Sequence, residues 1–126
     1  MDINVLVAEK SSKTRKNIVR SLKEIGIQDI QEANTGDQTV DIFSDHRFDV
    51  VLVDWELQTQ SGSEVVEVIR KLDKDVIIFA TTAKADNRSV SALEADQPGI
   101  SDYLVTPFTT EALREKLDKF AASLTA

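Results

Sequence analysis

The stretch Phe48-Asp49-Val50-Val51-Leu52-Val53-Asp54 decides the fold, because four apolar residues in a row lie between two acids. A short, continuous apolar run of this kind is typical of a strand that is buried on both faces of a parallel sheet. Open sheets of that class bind their ligands at the carboxyl ends of the strands. Asp54 is therefore a candidate for chemistry, with a turn or helix-cap role as the alternative.

Strand and helix patterns alternate along the rest of the 126 residues. Short apolar runs predict five strands, at Ile3–Ala8, Ile27–Ala33, Asp49–Val53, Val76–Ala80 and Asp102–Val105. Apolar residues at helical spacing predict five helices: one that Ser11 or Ser12 caps and Gly26 ends, one from Asp37 to Ser44, one that Gly62 precedes, one from Asp86 to Ala95 and one that Thr109 opens. Units of this size predict an α/β protein with one parallel sheet covered by helices on both faces. The length predicts a single domain over residues 1–126.

Composition narrows the class of function. The net charge of −7 argues against nucleic acid as a direct partner, because neutralising phosphates requires a basic surface. The chain has no cysteine, which excludes disulfides and thiolate chemistry, and it has no apolar stretch long enough to span a membrane. We therefore expect a cytoplasmic protein without a membrane partner. One local basic cluster lies near the N-terminus, at Lys10, Lys13, Arg15, Lys16, Arg20 and Lys23.

Polar residues follow four of the predicted strands. They are Glu9 and Lys10, Asp54 to Glu56, Thr81 and Thr82, and Thr106 and Pro107. Carboxylates at neighbouring strand ends suit Mg²⁺, which prefers hard oxygen ligands, and hydroxyls and helix N-termini nearby could hold a phosphoryl group. There is no glycine-rich phosphate loop. The only histidine, His46, is expected at the surface between a helix and a strand.

Four motifs agree in order and spacing with one known family. They are Val5-Leu6-Val7-Ala8-Glu9, Val51-Leu52-Val53-Asp54-Trp55, Thr81-Thr82-Ala83-Lys84-Ala85-Asp86 and Asp102-Tyr103-Leu104-Val105-Thr106-Pro107-Phe108. Together they resemble the receiver domain of two-component response regulators, of the single-domain chemotaxis type. The resemblance covers essentially the whole chain, and it implies a flavodoxin-like, doubly wound (βα)5 fold with strand order 2-1-3-4-5.

The resemblance also implies roles for particular residues. Asp54 would accept a phosphoryl group from a histidine kinase or phosphotransfer protein. Glu9, Asp54 and the backbone carbonyl of Glu56 would hold Mg²⁺. Thr82 would be the switch hydroxyl and Tyr103 the switch aromatic. A downstream protein would dock on the face formed by the predicted fourth helix, the fifth strand and the last helix. The chain would then be a signalling switch and not an enzyme.

Two departures from the family pattern affect this site. Lys10 stands where a second metal-binding acid is expected, and a charged lysine has no acceptor atom for Mg²⁺. Mg²⁺ binding should therefore be weak. Thr106 stands where the family has a lysine that pairs with the phosphoryl group. The residues leave open whether the Lys10 ammonium lies against Asp54 or turns to solvent.

Three other functions remain open at this point. The first is a receiver that works by docking without phosphoryl transfer. The second is a Mg²⁺-dependent hydrolase that uses Asp54 as its nucleophile. The third is a flavodoxin-like FMN binder, which the hydroxyl-rich segment Glu9-Lys10-Ser11-Ser12-Lys13-Thr14 suggests.

Overall fold

The structure is a computed structural model that describes residues 2–83 and 98–125. It contains one five-stranded parallel sheet in the order β2-β1-β3-β4-β5. This order and the alternation of strands with helices confirm the predicted flavodoxin-like α/β fold. The strands are β1 Asn4–Ala8, β2 Asp29–Ala33, β3 Val50–Asp54, β4 Ile77–Ala83 and β5 Asp102–Thr106.

Five helices occur in the described part of the chain. They are α1 Ser12–Ile25, α2 Gly36–Asp45, α3 Gly62–Leu72, α4 Thr110–Asp118 and α5 Ala121–Thr125. A hydroxyl side chain caps the N-terminus of each of the first four, at Ser11, Thr35, Ser61 and Thr109. Such caps satisfy backbone N–H groups that have no partner within the helix, so they fix where each helix starts. No helix among the described residues is long and apolar enough to cross a membrane.

Most predicted boundaries shift by at most one residue, three change more than that, and one predicted helix cannot be compared. The second strand begins at Asp29, because Gly26, with φ 107°, lets Ile27 donate a hydrogen bond back to Leu22 and close α1. The predicted last helix is divided after Asp118, where the Phe120 N–H donates to the Leu117 carbonyl. The fourth strand continues to Ala83. The predicted helix at 86–95 lies outside the described residues.

The longer fourth strand places Thr82 inside the sheet and not after its end. Residues 81–83 pair with β5, with Thr82 opposite Val105 and Ala83 opposite Thr106. Thr82 is therefore a strand residue and not part of the connection that follows the predicted fourth strand. A run that combines threonines with alanine carries little strand signal by itself, so the pairing with β5 decides its conformation.

The central strand β3 separates two hydrophobic cores. All five of its residues are buried. Val50 and Leu52 belong to the core under α1 and α4, whereas Val51 and Val53 belong to the core under α2 and α3. Successive side chains of a strand point to opposite faces, so this strand is covered on both sides, as its apolar run predicts. The sheet therefore holds Asp54 at the end of a strand that is buried along its whole length.

Helix α3 approaches the end of β3 closely at Gly62. A Cβ atom added at this position would lie 2.5 Å from the Trp55 Cα and 2.8 Å from the Asp54 carbonyl oxygen. Both are backbone atoms and cannot move aside by a change of rotamer. We therefore expect Gly62→Ala to destabilise the protein by roughly 1–3 kcal/mol, as overpacking does. Ser63→Ala is the control, because Ser63 is exposed one residue further along. Equal urea midpoints for the two variants would contradict this packing.

Candidate functional site

Asp54 is the last residue of β3, and its side chain is 5 % exposed. Its two carboxylate oxygens accept hydrogen bonds from two loops. The Glu56 N–H donates to Oδ1 at 3.0 Å, and the Lys10 N–H donates to Oδ2 at 3.3 Å. Backbone donors of this kind do not depend on side-chain rotamers. The loops after β1 and β3 therefore present a fixed carboxylate.

Glu9 lies beside Asp54, directly after β1, and is also 5 % exposed. Its Oε2 accepts a hydrogen bond from the Ser11 N–H at 2.8 Å, and its backbone carbonyl accepts one from Arg15 Nη1 at 2.8 Å. Arg15 also pairs with Glu32 at 3.2 Å. These contacts hold Glu9 from both its main chain and its side chain.

The pKa of Glu9 is raised to about 7, mainly by burial and also by the Asp54 charge and a hydrogen bond with the Asp54 side chain. The Ser11 N–H and the Lys10 charge act in the opposite direction. A hydrogen bond between two carboxyl groups requires a proton on one of them. Glu9 therefore keeps its proton up to about neutral pH and can donate it to the Asp54 side chain, so the two groups form a buried carboxyl pair.

The pair fits Mg²⁺ in ligand type. Mg²⁺ takes hard oxygen ligands and often binds through only one or two carboxylates, with water completing its shell. Glu9 and Asp54 supply two such groups in contact, and the Glu56 carbonyl follows in the adjoining loop. No cluster of three or more His, Cys, Asp or Glu side chains that could hold a metal ion occurs in residues 2–83 and 98–125.

Lys10 pairs with a residue that sequence reasoning did not consider for it. Its Nζ lies 3.2 Å from Glu56 Oε2, and the two side chains are 42 % and 36 % exposed. This ion pair, helped by the Asp54 and Glu9 charges, raises the pKa of Lys10. The Lys10 ammonium therefore lies at the exposed rim of the site and pairs with Glu56, a partner that neither alternative, contact with Asp54 or projection to solvent, had named. Residues 10 and 56 both donate their N–H to Asp54, so their side chains start close together and meet across its carboxylate.

Thr82 and Thr106 lie on neighbouring strands at the same edge of the sheet. The Thr82 side chain is 2 % exposed, and its Oγ1 has no hydrogen-bond partner among the described residues. Thr106 Oγ1 donates to the Thr82 carbonyl at 3.2 Å. The residue opposite Asp54 in the sheet register is Thr81, one position before Thr82. An unsatisfied buried hydroxyl is costly, so Thr82 Oγ1 is a candidate for binding a group that the described residues do not supply.

Tyr103 is half-buried on β5, the edge strand. The Lys116 ammonium lies 5.5 Å from the centre of its ring and pairs with Asp102 Oδ2 at 2.9 Å. A cation over an aromatic face is attracted by the ring quadrupole. The tyrosine is thus held on the side of the sheet that carries α4, and its role as a switch stays a prediction.

The structure places Glu9, Lys10, Asp54, Glu56, Thr82 and Thr106 at the carboxyl edge of the sheet. The sequence did not predict that Ser11 and Arg15 hold Glu9 in place. From the sequence, Ser11 was expected only to cap a helix and Arg15 only to add positive charge. Their hydrogen bonds to Glu9 run through a backbone N–H and a backbone carbonyl. A residue pattern carries no signal for contacts of that kind.

The shifted pKa of Glu9 predicts how stability depends on pH. The pKa rises from 4.5 to about 7 on folding, so the folded protein holds more protons than the unfolded chain between those values. The contribution of Glu9 is therefore complete below about pH 4.5 and declines as the pH rises to about 7, by on the order of 3 kcal/mol. Glu9→Gln keeps a donor for Asp54 and an acceptor for Ser11 but cannot ionise.

We expect wild type to lose more free energy of unfolding than Glu9→Gln between about pH 5 and about pH 8 in urea titrations. Glu67→Gln, at an exposed position on α3, should keep the wild-type dependence. Parallel pH profiles for wild type and Glu9→Gln would show that the carboxyl is not protonated in the fold.

Comparison with known proteins identifies the family. Residues 5–118 match the response regulator receiver domain. The chain is 30% identical over 120 residues to chemotaxis protein CheY-3 of Vibrio cholerae, covering 94% of this chain and 91% of that protein. It is 32% identical over 120 residues to a chemotaxis protein CheY homolog of Campylobacter jejuni, with 92% and 90% covered.

Solved structures agree with this assignment. The receiver domain of a sensor histidine kinase from Pseudomonas aeruginosa, which has a magnesium ion coordinated in its active-site cleft, superposes with a TM-score of 0.82 at 26% identity. The alignment covers 94% of this chain and 97% of that one. With its sheet order, its buried carboxyl pair and these matches, the chain belongs to the receiver domains of two-component response regulators, among relatives of the chemotaxis CheY type.

Proposed function

We propose that this protein is a cytoplasmic phosphorelay receiver in which Asp54 accepts a phosphoryl group from a histidine kinase or phosphotransfer protein. The observation that carries the proposal is the buried Asp54 carboxylate, held by two backbone N–H donors beside a second carboxyl group. Output is by docking of a downstream protein and not by turnover of a small molecule.

The chemical step follows from the residues at the strand ends. An Asp54 oxygen forms a bond to phosphorus, the bond between phosphorus and the donor histidine nitrogen breaks, and the histidine keeps the electron pair and takes up a proton. The Lys10 and Glu56 N–H groups keep the carboxylate in position throughout. Glu9, Asp54 and the Glu56 carbonyl would hold Mg²⁺, which supplies positive charge against the phosphoryl oxygens when it is bound.

Thr82 would sense the new phosphoryl group. Its buried Oγ1 has no partner among the described residues, so it is available to donate to a phosphoryl oxygen. Thr106, where the family has a lysine, offers a hydroxyl and no positive charge. A charge-assisted contact of the kind that is absent here is worth roughly 1.5–3 kcal/mol. Phosphorylation should therefore bias the position of Tyr103 less strongly than in receivers that keep the lysine.

A second candidate is a receiver that docks without phosphoryl transfer. The Lys10–Glu56 ion pair favours it, because a positive side chain lies at the mouth of the carboxyl pair. This pair is partly exposed and worth little by itself, about 0–1 kcal/mol, so an incoming donor can displace it. For that reason we rank phosphoryl transfer first.

Intact mass after incubation with Mg²⁺ and acetyl phosphate tests the proposal. We expect a gain of one phosphoryl group on wild type, because Asp54 is a fixed and ionisable nucleophile. Asp54→Asn is the matched variant, since an amide cannot form the acyl phosphate, and it should stay unmodified. If wild type also stays unmodified with both the small donor and a phosphorylated phosphotransfer domain, the docking-only candidate replaces this one.

The Lys10 side chain should weaken Mg²⁺ binding. Lys10→Asp removes a competing charge and adds a third acid, so it should bind Mg²⁺ most tightly, followed by Lys10→Ala and then by wild type. The fluorescence of Trp55, the only tryptophan and the residue after Asp54, reports the titration. Lys13→Ala, an exposed lysine with no ion pair in the described structure, is the control and should match wild type. Equal affinities across the series would show that Lys10 does not influence the site.

A further inference from the structure

A phosphoryl group on Asp54 would add negative charge to a pocket that already holds two carboxyl groups. A phosphorylated side chain carries about −1.5 to −2 charges near neutral pH, and its oxygens are strong hydrogen-bond acceptors. The hydroxyls of Thr82 and Thr106 at this edge can donate hydrogen bonds but supply no charge. A positive side chain within reach of Asp54 would therefore stabilise the phosphorylated protein.

Lys10 is the basic residue that the loops at this edge offer. Of the loops that follow β1, β2, β3 and β5, only the loop after β1 contains a lysine or an arginine. The guanidinium of Arg15, near the start of α1, is bound to the Glu9 carbonyl and to Glu32, and this side chain is 17 % exposed. Moving it would break both contacts, whereas the Lys10 ammonium has one ion-pair partner among the described residues, Glu56.

The Lys10 side chain crosses the Asp54 carboxylate. Its backbone nitrogen lies 3.3 Å from Asp54 Oδ2, whereas its ammonium reaches Glu56, whose backbone nitrogen lies 3.0 Å from Asp54 Oδ1. A lysine has a flexible four-carbon stem and three donors on one ammonium group. A group attached to either oxygen of Asp54 therefore lies within reach of the ammonium, and the backbone does not have to move.

The contact that Lys10 makes with Glu56 is easily broken. The two side chains are 42 % and 36 % exposed, and an ion pair of this kind has little net value. A phosphoryl group carries up to about twice the charge of a carboxylate, and on Asp54 it would join a buried residue, where water screens charges less. The hydrogen bond to Glu56 and the charges of the neighbouring acids raise the pKa of Lys10, so the ammonium stays charged.

We propose that Lys10 is an exchangeable cation, which leaves Glu56 and pairs with the phosphoryl group once Asp54 is modified. This inference rests on the proposed function and adds to it a residue that contacts the transferred group. No bond to Lys10 forms or breaks and no proton moves, since the ammonium stays protonated throughout. Lys10 then has two opposed effects, because the charge that weakens Mg²⁺ binding before transfer stabilises the modified protein after it.

The exchange places the response to phosphorylation in the loop after β1. Lys10 leads directly into Ser11, the residue that caps α1, and Glu56 loses its ion pair when the ammonium leaves. Thr106 on β5 brings no charge to the pocket. Phosphorylation should therefore alter the surroundings of residues 9–12 and of Glu56 more than those of Tyr103.

Binding of beryllofluoride, which mimics a phosphoryl group on an aspartate, tests the exchange by ¹⁹F NMR. All proteins are compared at saturating Mg²⁺, because Lys10 also affects the affinity for the metal. Lys10→Gln should bind beryllofluoride about tenfold more weakly, the effect of losing one charge-assisted contact. Lys10→Arg keeps the charge and should stay within about threefold of wild type. Glu56→Gln removes the competing partner and should bind beryllofluoride more tightly than wild type.

Lys13→Gln is the matched control. It removes the same charge from an exposed lysine that makes no ion pair within residues 2–83 and 98–125, and it should change the affinity by less than about twofold. The ¹⁵Nζ resonance of Lys10, assigned with Lys10→Arg, gives a second readout. We expect it to shift when beryllofluoride binds and the ammonium changes its partner.

Equal beryllofluoride affinity of wild type and Lys10→Gln would overturn the proposal. Equal losses in Lys10→Gln and Lys13→Gln would overturn it as well, since net charge alone would then explain the effect. Both results leave phosphoryl transfer to Asp54 intact. If wild type binds no beryllofluoride and also gains no phosphoryl group by intact mass, the proposed function fails and the exchange fails with it.

Discussion

The hydrogen bonds from the Lys10 and Glu56 N–H groups to the Asp54 carboxylate are the interaction on which the site depends. They require the loops after β1 and β3 to meet, which follows from the adjacency of these strands and the pairing of Ala8 with Val53. That pairing in turn requires β3 to be buried on both faces. The apolar run before Asp54 therefore determines where the carboxylate sits and what can approach it.

The same loops set the charge of the pocket. Glu9 is buried against Asp54 and holds its proton up to about neutral pH, so the two carboxyl groups do not carry full repulsion. The positive charge of Lys10 does not neutralise Asp54 directly, because it is engaged by Glu56 at the exposed rim. A cation that approaches the carboxyl pair would therefore lower the pKa of Glu9 and favour its ionised form. The Lys10–Glu56 ion pair is weaker than the buried contact between Glu9 and Asp54, so an incoming group can displace it more easily.

The fold could be predicted from the sequence because its signals are local. Hydroxyl residues of the kind that cap helices precede three of them, at Ser11, Thr35 and Ser61. The continuous apolar run of β3 indicates a central strand. The extension of β4 through Thr82 was missed, since it depends on pairing with β5 and not on the residues themselves. The clustering of Glu9, Asp54 and Thr82 at one edge also follows from strand ends alone. Their functional roles stay predictions.

Individual contacts at the site could not be predicted. The partner of Lys10 depends on which way two long side chains turn after their backbones converge on Asp54, and no spacing in the sequence encodes this. The hydrogen bond from Arg15 to the Glu9 carbonyl is of the same kind. The cluster of basic residues near the N-terminus was visible in the sequence, but a groove beside α1 follows only from the packing of α1 near the turn at Pro107 and Phe108.

The central claim is that Glu9 is a buried carboxyl group that keeps its proton up to about neutral pH beside Asp54. The most direct measurement is the titration of the Glu9 side-chain carboxyl carbon by ¹³C NMR in the metal-free protein, assigned with Glu9→Gln. This account predicts a midpoint near 7, well above the ordinary value of 4.5. A midpoint at or below 4.5 would contradict it, because Glu9 would then be an ionised, solvated carboxylate and the pocket would not have the charge balance described here.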